Sequence, residues 1–311
     1  MIKSFLTGMR QASGSWKMIL LLLGANILFA LPLAVPIFLL MAQTAGGTVF
    51  AERLYDDNLN AIWFSDLINE RFAQASPVTL ALQVAAMLVV VGSAYLLVNT
   101  LFAGGILEVY TSSDGRFTMR KFWAGCGAYF WRFFRLTLIA AIFYAIVVGG
   151  YALVRWAINK VDEKAAAEQP GALVGFAALL VLLLLISVVN MVLDYARIGA
   201  VINERRRMFR ETFKAARLAL RHFARTFGLY VIIGVAGLIL FSFVFWLRSL
   251  VHQTSLGGVI LAVAVGQLAI ASRMWTRLTY YSAQINLYRS IAPVQAPEVA
   301  ESAEAASSGS S

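Results

Sequence analysis

The sequence predicts an all-α membrane protein with six transmembrane helices, and three observations predict it. First, 60% of the 311 residues are apolar and only 14% are charged, where soluble domains run near ~45–50% and ~25%. A water-exposed exterior has no place for that surplus, but a bilayer does. Second, six long stretches carry no charged residue: 18–51, 72–107, 136–154, 169–193, 226–247 and 249–272. Third, the segments between them differ in charge in a regular alternation. Roughly 20 apolar residues rising ~1.5 Å each cross a ~30 Å hydrocarbon layer. Backbone N–H and C=O groups in lipid need internal partners, so runs of this length are helices. None shows the period-two alternation of a membrane barrel strand.

The expected spans are 18–41, 78–107, 136–155, 172–192, 227–247 and 258–278. The first has an apolar core longer than the ~7–15 residues of a signal h-region, so it reads as an uncleaved anchor. Before it stand Lys3, Arg10 and Lys17, with no acid. The next loop is acidic, with Glu52, Asp56, Asp57, Asp66 and Glu70 against Arg53 and Arg71. Arg116, Arg120, Lys121, Arg132 and Arg135 follow the second span, against Glu108 and Asp114. The third loop is mixed, the fourth (197–225) strongly basic, and the fifth uncharged. Cytoplasmic loops keep the excess of Lys and Arg. Both termini are therefore expected in the cytoplasm of a bacterial cell, with one six-helix domain over 1–291 in the inner membrane. The segment 292–311, rich in Ala, Ser and Glu, is expected to be a disordered cytoplasmic tail.

Each odd-numbered span has an amphipathic lead-in. Phe5 and Gly8 run to Lys17, Phe122 and Gly125 to Arg132, and Phe213 and Ala216 to Arg225. This self-similarity suggests three repeated helical hairpins, each entered through an interfacial helix. The third lead-in is the clearest. Arg207, Arg210, Lys214, Arg217, Arg221 and Arg225 recur at spacings of three and four, and a Phe/Ala/Leu stripe centres about 120° away. Such a helix lies on the membrane with its basic side chains toward the headgroups. These six residues are the candidate contact for anionic lipid or for a membrane-protein partner, although the positive-inside rule by itself asks for the same charge. A second short amphipathic helix is expected over 63–72.

Polar groups within the spans are few. Asp194 and Arg197, three apart, read as a structural ion pair at a span boundary. Arg155, Arg248 and Arg273 lie near span ends and can snorkel. Gln83, Asn99, Asn190 and Gln267 read as interhelical hydrogen-bonding groups. Gly104–Gly105, Gly149–Gly150, Gly234 and Gly237 read as sites of close helix approach. Pro32 and Pro36 are expected to interrupt the first span, a feature seen in some transporter helices.

These residues exclude several chemistries. The only histidines are His222 and His252, placed on opposite sides of the membrane, so no His-Glu-x-x-His metal site exists. The single cysteine, Cys126, permits neither a disulfide within the chain nor a cysteine zinc cluster. No Gly-rich phosphate loop, paired intramembrane aspartates or nucleic-acid module is present. No catalytic site, cofactor or metal is expected.

The run Leu101-Phe-Ala-Gly-Gly-Ile-Leu, the segment 122–134, and Asp194-Tyr-Ala-Arg-Ile followed by a basic amphipathic helix resemble a group of bacterial six-span proteins. These are similar to the membrane domains fused to some glycerophosphodiester phosphodiesterases. The resemblance implies a six-helix inner-membrane protein and carries over no diesterase activity, because no soluble enzyme domain accompanies the spans. Two functions fit these features. One is a non-enzymatic scaffold, assembly or lipid-organising protein, suggested by the basic lead-ins and the missing chemistry. The other is a small permease or lipid-handling protein, suggested by the prolines and the glycine-rich spans, and this one requires a cavity between the helices.

Overall fold

Every regular element among the described residues is an α-helix. The computed structural model describes residues 1–45, 77–112, 117–162, 169–202, 208–251 and 256–291. Its helices are α1 (Ile2–Gly14), α2 (Trp16–Ala45), α3 (Pro77–Thr111), α4 (Met119–Asp162), α5 (Gln169–Ile202), α6 (Met208–Arg221), α7 (Phe223–Ser249) and α8 (Leu256–Ile291). Five segments are long and apolar enough to cross a membrane: Ala85–Thr111, Met119–Lys160, Val174–Ile202, Phe223–Ser249 and Gly257–Ile291. Helix α1 and the Trp16–Pro32 part of α2 form a sixth candidate, bent by 71°. The chain is thus a multi-pass helical membrane protein. The expected helix over 63–72 and the segment 292–311 lie outside the described residues.

Two expectations about the helices are corrected. Helix α2 runs through Pro32 and Pro36 without a break, a continuity that proline is known to permit in membrane helices. The second lead-in is no separate element, since 122–134 and the span after it are one helix, α4, of 44 residues. The connecting sequence 128–136 holds no Gly, Pro, Ser, Asn or Asp to stop a helix. Arg132 and Arg135 mark a change of surroundings and leave the backbone unaltered. The other two lead-ins do break away. Ser15, after Gly14, leaves helical geometry at φ −98° and ψ 37°, and His222 does so at φ −115° and ψ 34°. Across the second break the buried Thr226 Oγ1 donates to the Ala219 carbonyl at 3.0 Å, which ties α7 back to α6.

Burial divides the molecule into two halves. Large buried side chains come from 102–110 of α3, 122–140 of α4, 191–201 of α5 and 274–288 of α8. Exposed large apolar side chains come from the opposite ends, 82–97 of α3, 138–156 of α4, 174–185 of α5, 235–250 of α7 and 259–268 of α8. The helices therefore converge at one end and splay at the other, where greasy surface faces outward as lipid requires.

Helix α8 is the hub of the converging end, packing on α1 and α7 and also touching α2, α3 and α5. Its contact with α1 is close. A Cβ on Gly8 would stand 2.8 Å from the Ala283 backbone nitrogen. Ser282 Oγ donates to Gln11 Oε1 at 2.5 Å and Trp275 Nε1 to Ser13 Oγ at 3.0 Å. Gly105 plays the same part between α3 and α4, where a Cβ would stand 2.7 Å from both Cys126 Sγ and the Phe122 carbonyl oxygen. Among the described residues, Gly149 and Gly150 have nothing within 4 Å of an added Cβ. The close approach expected there is absent, because they lie in the splayed half of α4.

Candidate functional site, a polar cavity between the helices

A cavity of about 710 Å³ opens where the two halves meet, walled by α3, α4, α5, α7 and α8. Its chemistry comes mainly from α8. Arg273 and Arg277 are four apart and Tyr281 a further four, so all three share one helical face. Helix α5 presents Asn190, Asp194 and Arg197 on a similar stripe, and α3 adds Asn99. At 1.5 Å per residue, Asp194 stands about 12 Å from the Ile202 end of α5 and Arg277 about 21 Å from the Ile291 end of α8. Beyond the arginines α8 continues through the buried Ser282, Ala283, Gln284 and Ile285.

The cluster is held by specific bonds. Arg197 Nη1 donates to Asp194 Oδ1 at 3.1 Å, with the two side chains 21% and 18% exposed. Arg277 bridges α8 to α3, donating through Nη1 to Asn99 Oδ1 and through Nη2 to the Asn99 carbonyl at 3.2 Å. Its guanidinium also lies 5.9 Å from the Tyr281 ring centroid. Tyr144 on α4 donates its hydroxyl to Asn190 Oδ1. Tyr280 donates to the Tyr230 carbonyl at 2.9 Å, closing α8 onto α7. That wall is tight because Gly237 has no side chain, and a Cβ there would stand 2.5 Å from Thr276 Cγ2.

Donors exceed acceptors. Three arginines and one aspartate line the cavity, a formal sum of +2, and guanidinium groups keep their charge. The buried Arg197 Nε has no hydrogen-bond partner among the described residues. Arg273 is exposed and makes no hydrogen bond or ion pair among them. The lining also has an exposed apolar part, with Leu96 57%, Leu238 63% and Phe241 44% exposed. Such a cavity suits a molecule with an anionic head and an apolar body.

The candidate residues fall in different places. Asp194 and Arg197 lie in the cavity wall. The basic stripe does not stay together: Arg207 lies outside the described residues, Arg210 falls within α6, and Lys214, Arg217 and Arg221 are exposed on α6. Arg225 is exposed in the first turn of α7, past the break at His222. No described member of the stripe lines the polar cavity. The apolar side of α6 covers a separate cavity of about 400 Å³, where Phe213 and Ala216 meet Ile142 of α4 and Val189 of α5.

Arg273, Arg277 and Asn99 escape notice as a group in the sequence. Ending the last span at 278 makes Arg277 a boundary charge, whereas the helix runs on to Ile291. The spacing Arg273, Arg277, Tyr281, Gln284 is the signal that reveals a polar face within one continuous helix. Among the described residues no group of three or more His, Cys, Asp or Glu side chains could hold a metal ion. No family model, curated protein or solved structure matches this chain.

Proposed function

We propose that this protein is a non-enzymatic, lipid-handling protein of a bacterial inner membrane, which takes an amphiphile from the bilayer into the cavity between its helices. One observation carries this reading: a cavity of about 710 Å³ whose lining combines three arginines with exposed apolar side chains. A scaffold needs no such space, so the geometry favours handling over scaffolding. The resemblance to six-span membrane domains accompanying glycerophosphodiester chemistry is compatible with a lipid ligand. The architecture is read as three units, α1–α3, α4–α5 and α6–α8, with α1 and α6 lying on the membrane and the converging end in the cytoplasm. The exposed Lys214, Arg217 and Arg221 of α6 would then meet anionic headgroups, at about 1 kcal/mol each.

Photolabelling tests the reading. The full chain is reconstituted with a phospholipid carrying a photoactivatable acyl chain, irradiated, and mapped by peptide mass spectrometry. Label is expected on α3 near Leu96 and on α7 near Leu238 and Phe241. Leu238→Trp, which narrows the mouth, is expected to reduce label at the cavity while leaving the splayed outer surface unchanged. Label spread evenly over exposed positions such as Leu153 and Leu183, and absent from the cavity, would refute lipid entry.

A further inference from the structure

We infer that the ligand of this cavity is an anionic amphiphile of the phospholipid class, whose phosphate is received by Arg273 and Arg277. The inference rests on the lipid-handling reading and adds the chemistry of the head group.

The argument is one of unspent donors. An arginine carries five N–H donors in a planar fork. Arg277 uses two groups on Asn99, which is a neutral residue, and its charge acts on Asp194 only through space, with no hydrogen bond to it among the described residues. The one carboxylate in the lining, Asp194, is hydrogen-bonded to Arg197. Arg273, one turn from Arg277 on the same face of α8, has no partner among the described residues. Two guanidinium groups one helical turn apart, with a surplus of positive charge, match the oxygens of a phosphate through charge-assisted bonds. Arg273 is exposed and Arg277 half-buried, so a phosphate can reach both from outside the helix bundle. The neutral groups do not compete for it, because the hydroxyls of Tyr144 and Tyr280 donate within the protein. The mouth settles which source of phosphate fits. Leu96, Leu238 and Phe241 are exposed, belong to the apolar spans and share the lining with Arg273, so a phosphate on the arginines leaves adjoining apolar surface that an acyl chain can cover and a free ion cannot.

The test extends the photolabelling to two lipids with the same acyl chain, phosphatidylglycerol and diacylglycerol, which have and lack the phosphate, with inorganic phosphate as a third arm. Cavity label from phosphatidylglycerol is expected to exceed that from diacylglycerol about tenfold, the ratio expected of one charge-assisted bond. Arg273→Gln should bring the two within about twofold while the protein stays folded, since Arg273 supports no other contact. Arg277→Lys, which keeps the charge and loses the fork, should retain part of the preference. Equal labelling by both lipids in the unaltered protein would overturn the inference while leaving lipid entry standing. So would a preference that survives Arg273→Gln. Thermal stabilisation by inorganic phosphate alone, lost in Arg273→Gln, would assign the site to a free anion and overturn the amphiphile. Absence of cavity label from either lipid is the different result that removes the lipid-handling reading itself.

Discussion

Asn99 occupies the place beside Arg277 where a carboxylate would be expected in a helical membrane protein. Its side-chain and backbone oxygens both accept from the guanidinium, so α3 and α8 are joined without cancelling the charge. Two substitutions separate these roles. Asn99→Leu removes the side-chain acceptor and leaves a charged donor short of a partner, which costs about 2 kcal/mol and should appear as a lower midpoint in thermal unfolding of the detergent-solubilised protein. Asn99→Asp keeps the acceptor and lowers the formal charge of the cavity from +2 to +1. That variant should unfold no earlier than the parent, yet lose most of its preference for phosphatidylglycerol. Joint loss of stability and preference in Asn99→Asp would mean the residue is structural only. The sequence makes Asn99 visible as a polar group in a span, but its partner is 178 residues away. A pairing of that separation is a product of tertiary packing, which periodicity cannot reveal.

Elements meet here through glycines, and their surroundings decide what each can tolerate. Gly8 lies where α1 presses on α8, with an added Cβ 2.7 Å from Ala283 Cβ. Gly24 sits within α2 with no described residue inside 4 Å of that position. Gly8→Ala forces two backbones apart and should cost about 1–3 kcal/mol. Gly24→Ala relieves a flexible residue inside a helix and should gain about 0.5–1 kcal/mol. Equilibrium unfolding in mixed micelles would read both, and equal effects would argue against the α1–α8 contact. Helix identity was legible in the sequence because lipid tolerates no other backbone over an uncharged run. Helix length was less so. The charges Arg132 and Arg135 suggested an element boundary, but a helix that leaves the membrane has no reason to stop there. Prolines misled for a related reason, since Pro32 and Pro36 cost hydrogen bonds without ending α2. The packing role of glycine was readable at Gly104–Gly105 and misread at Gly149–Gly150, because a residue type cannot say which face of a helix meets a neighbour.

At the scale of the whole molecule, the split between a converging and a splayed half decides how the chain sits in a membrane. The basic residues follow that split. Lys3 and Arg10 lie in α1, Lys17 opens α2, Arg120 and Lys121 open α4, Lys214, Arg217 and Arg221 line α6, and Arg289 closes α8. Against these the splayed ends of the described helices carry Arg155, Lys160 and Arg248. Positive charge is retained on the cytoplasmic side during insertion, so the converging half should face inward and the cavity mouth should open toward the bilayer above it. The charge pattern alone thus conveys an orientation, while the cavity needs α8 to be seen as continuous and buried beyond Arg277. Cysteine labelling tests the orientation directly. Cys126 is buried, and Cys126→Ala provides a background without thiols. Asn159→Cys places one thiol at an exposed position of the splayed end, and Ala224→Cys places one at an exposed position of the converging end. On intact spheroplasts a membrane-impermeant maleimide should modify the first and spare the second, and permeabilisation should expose both. The reverse pattern would invert the topology. It would also turn the cavity toward the opposite leaflet, so that any lipid drawn into it would come from the outer rather than the inner face of the membrane.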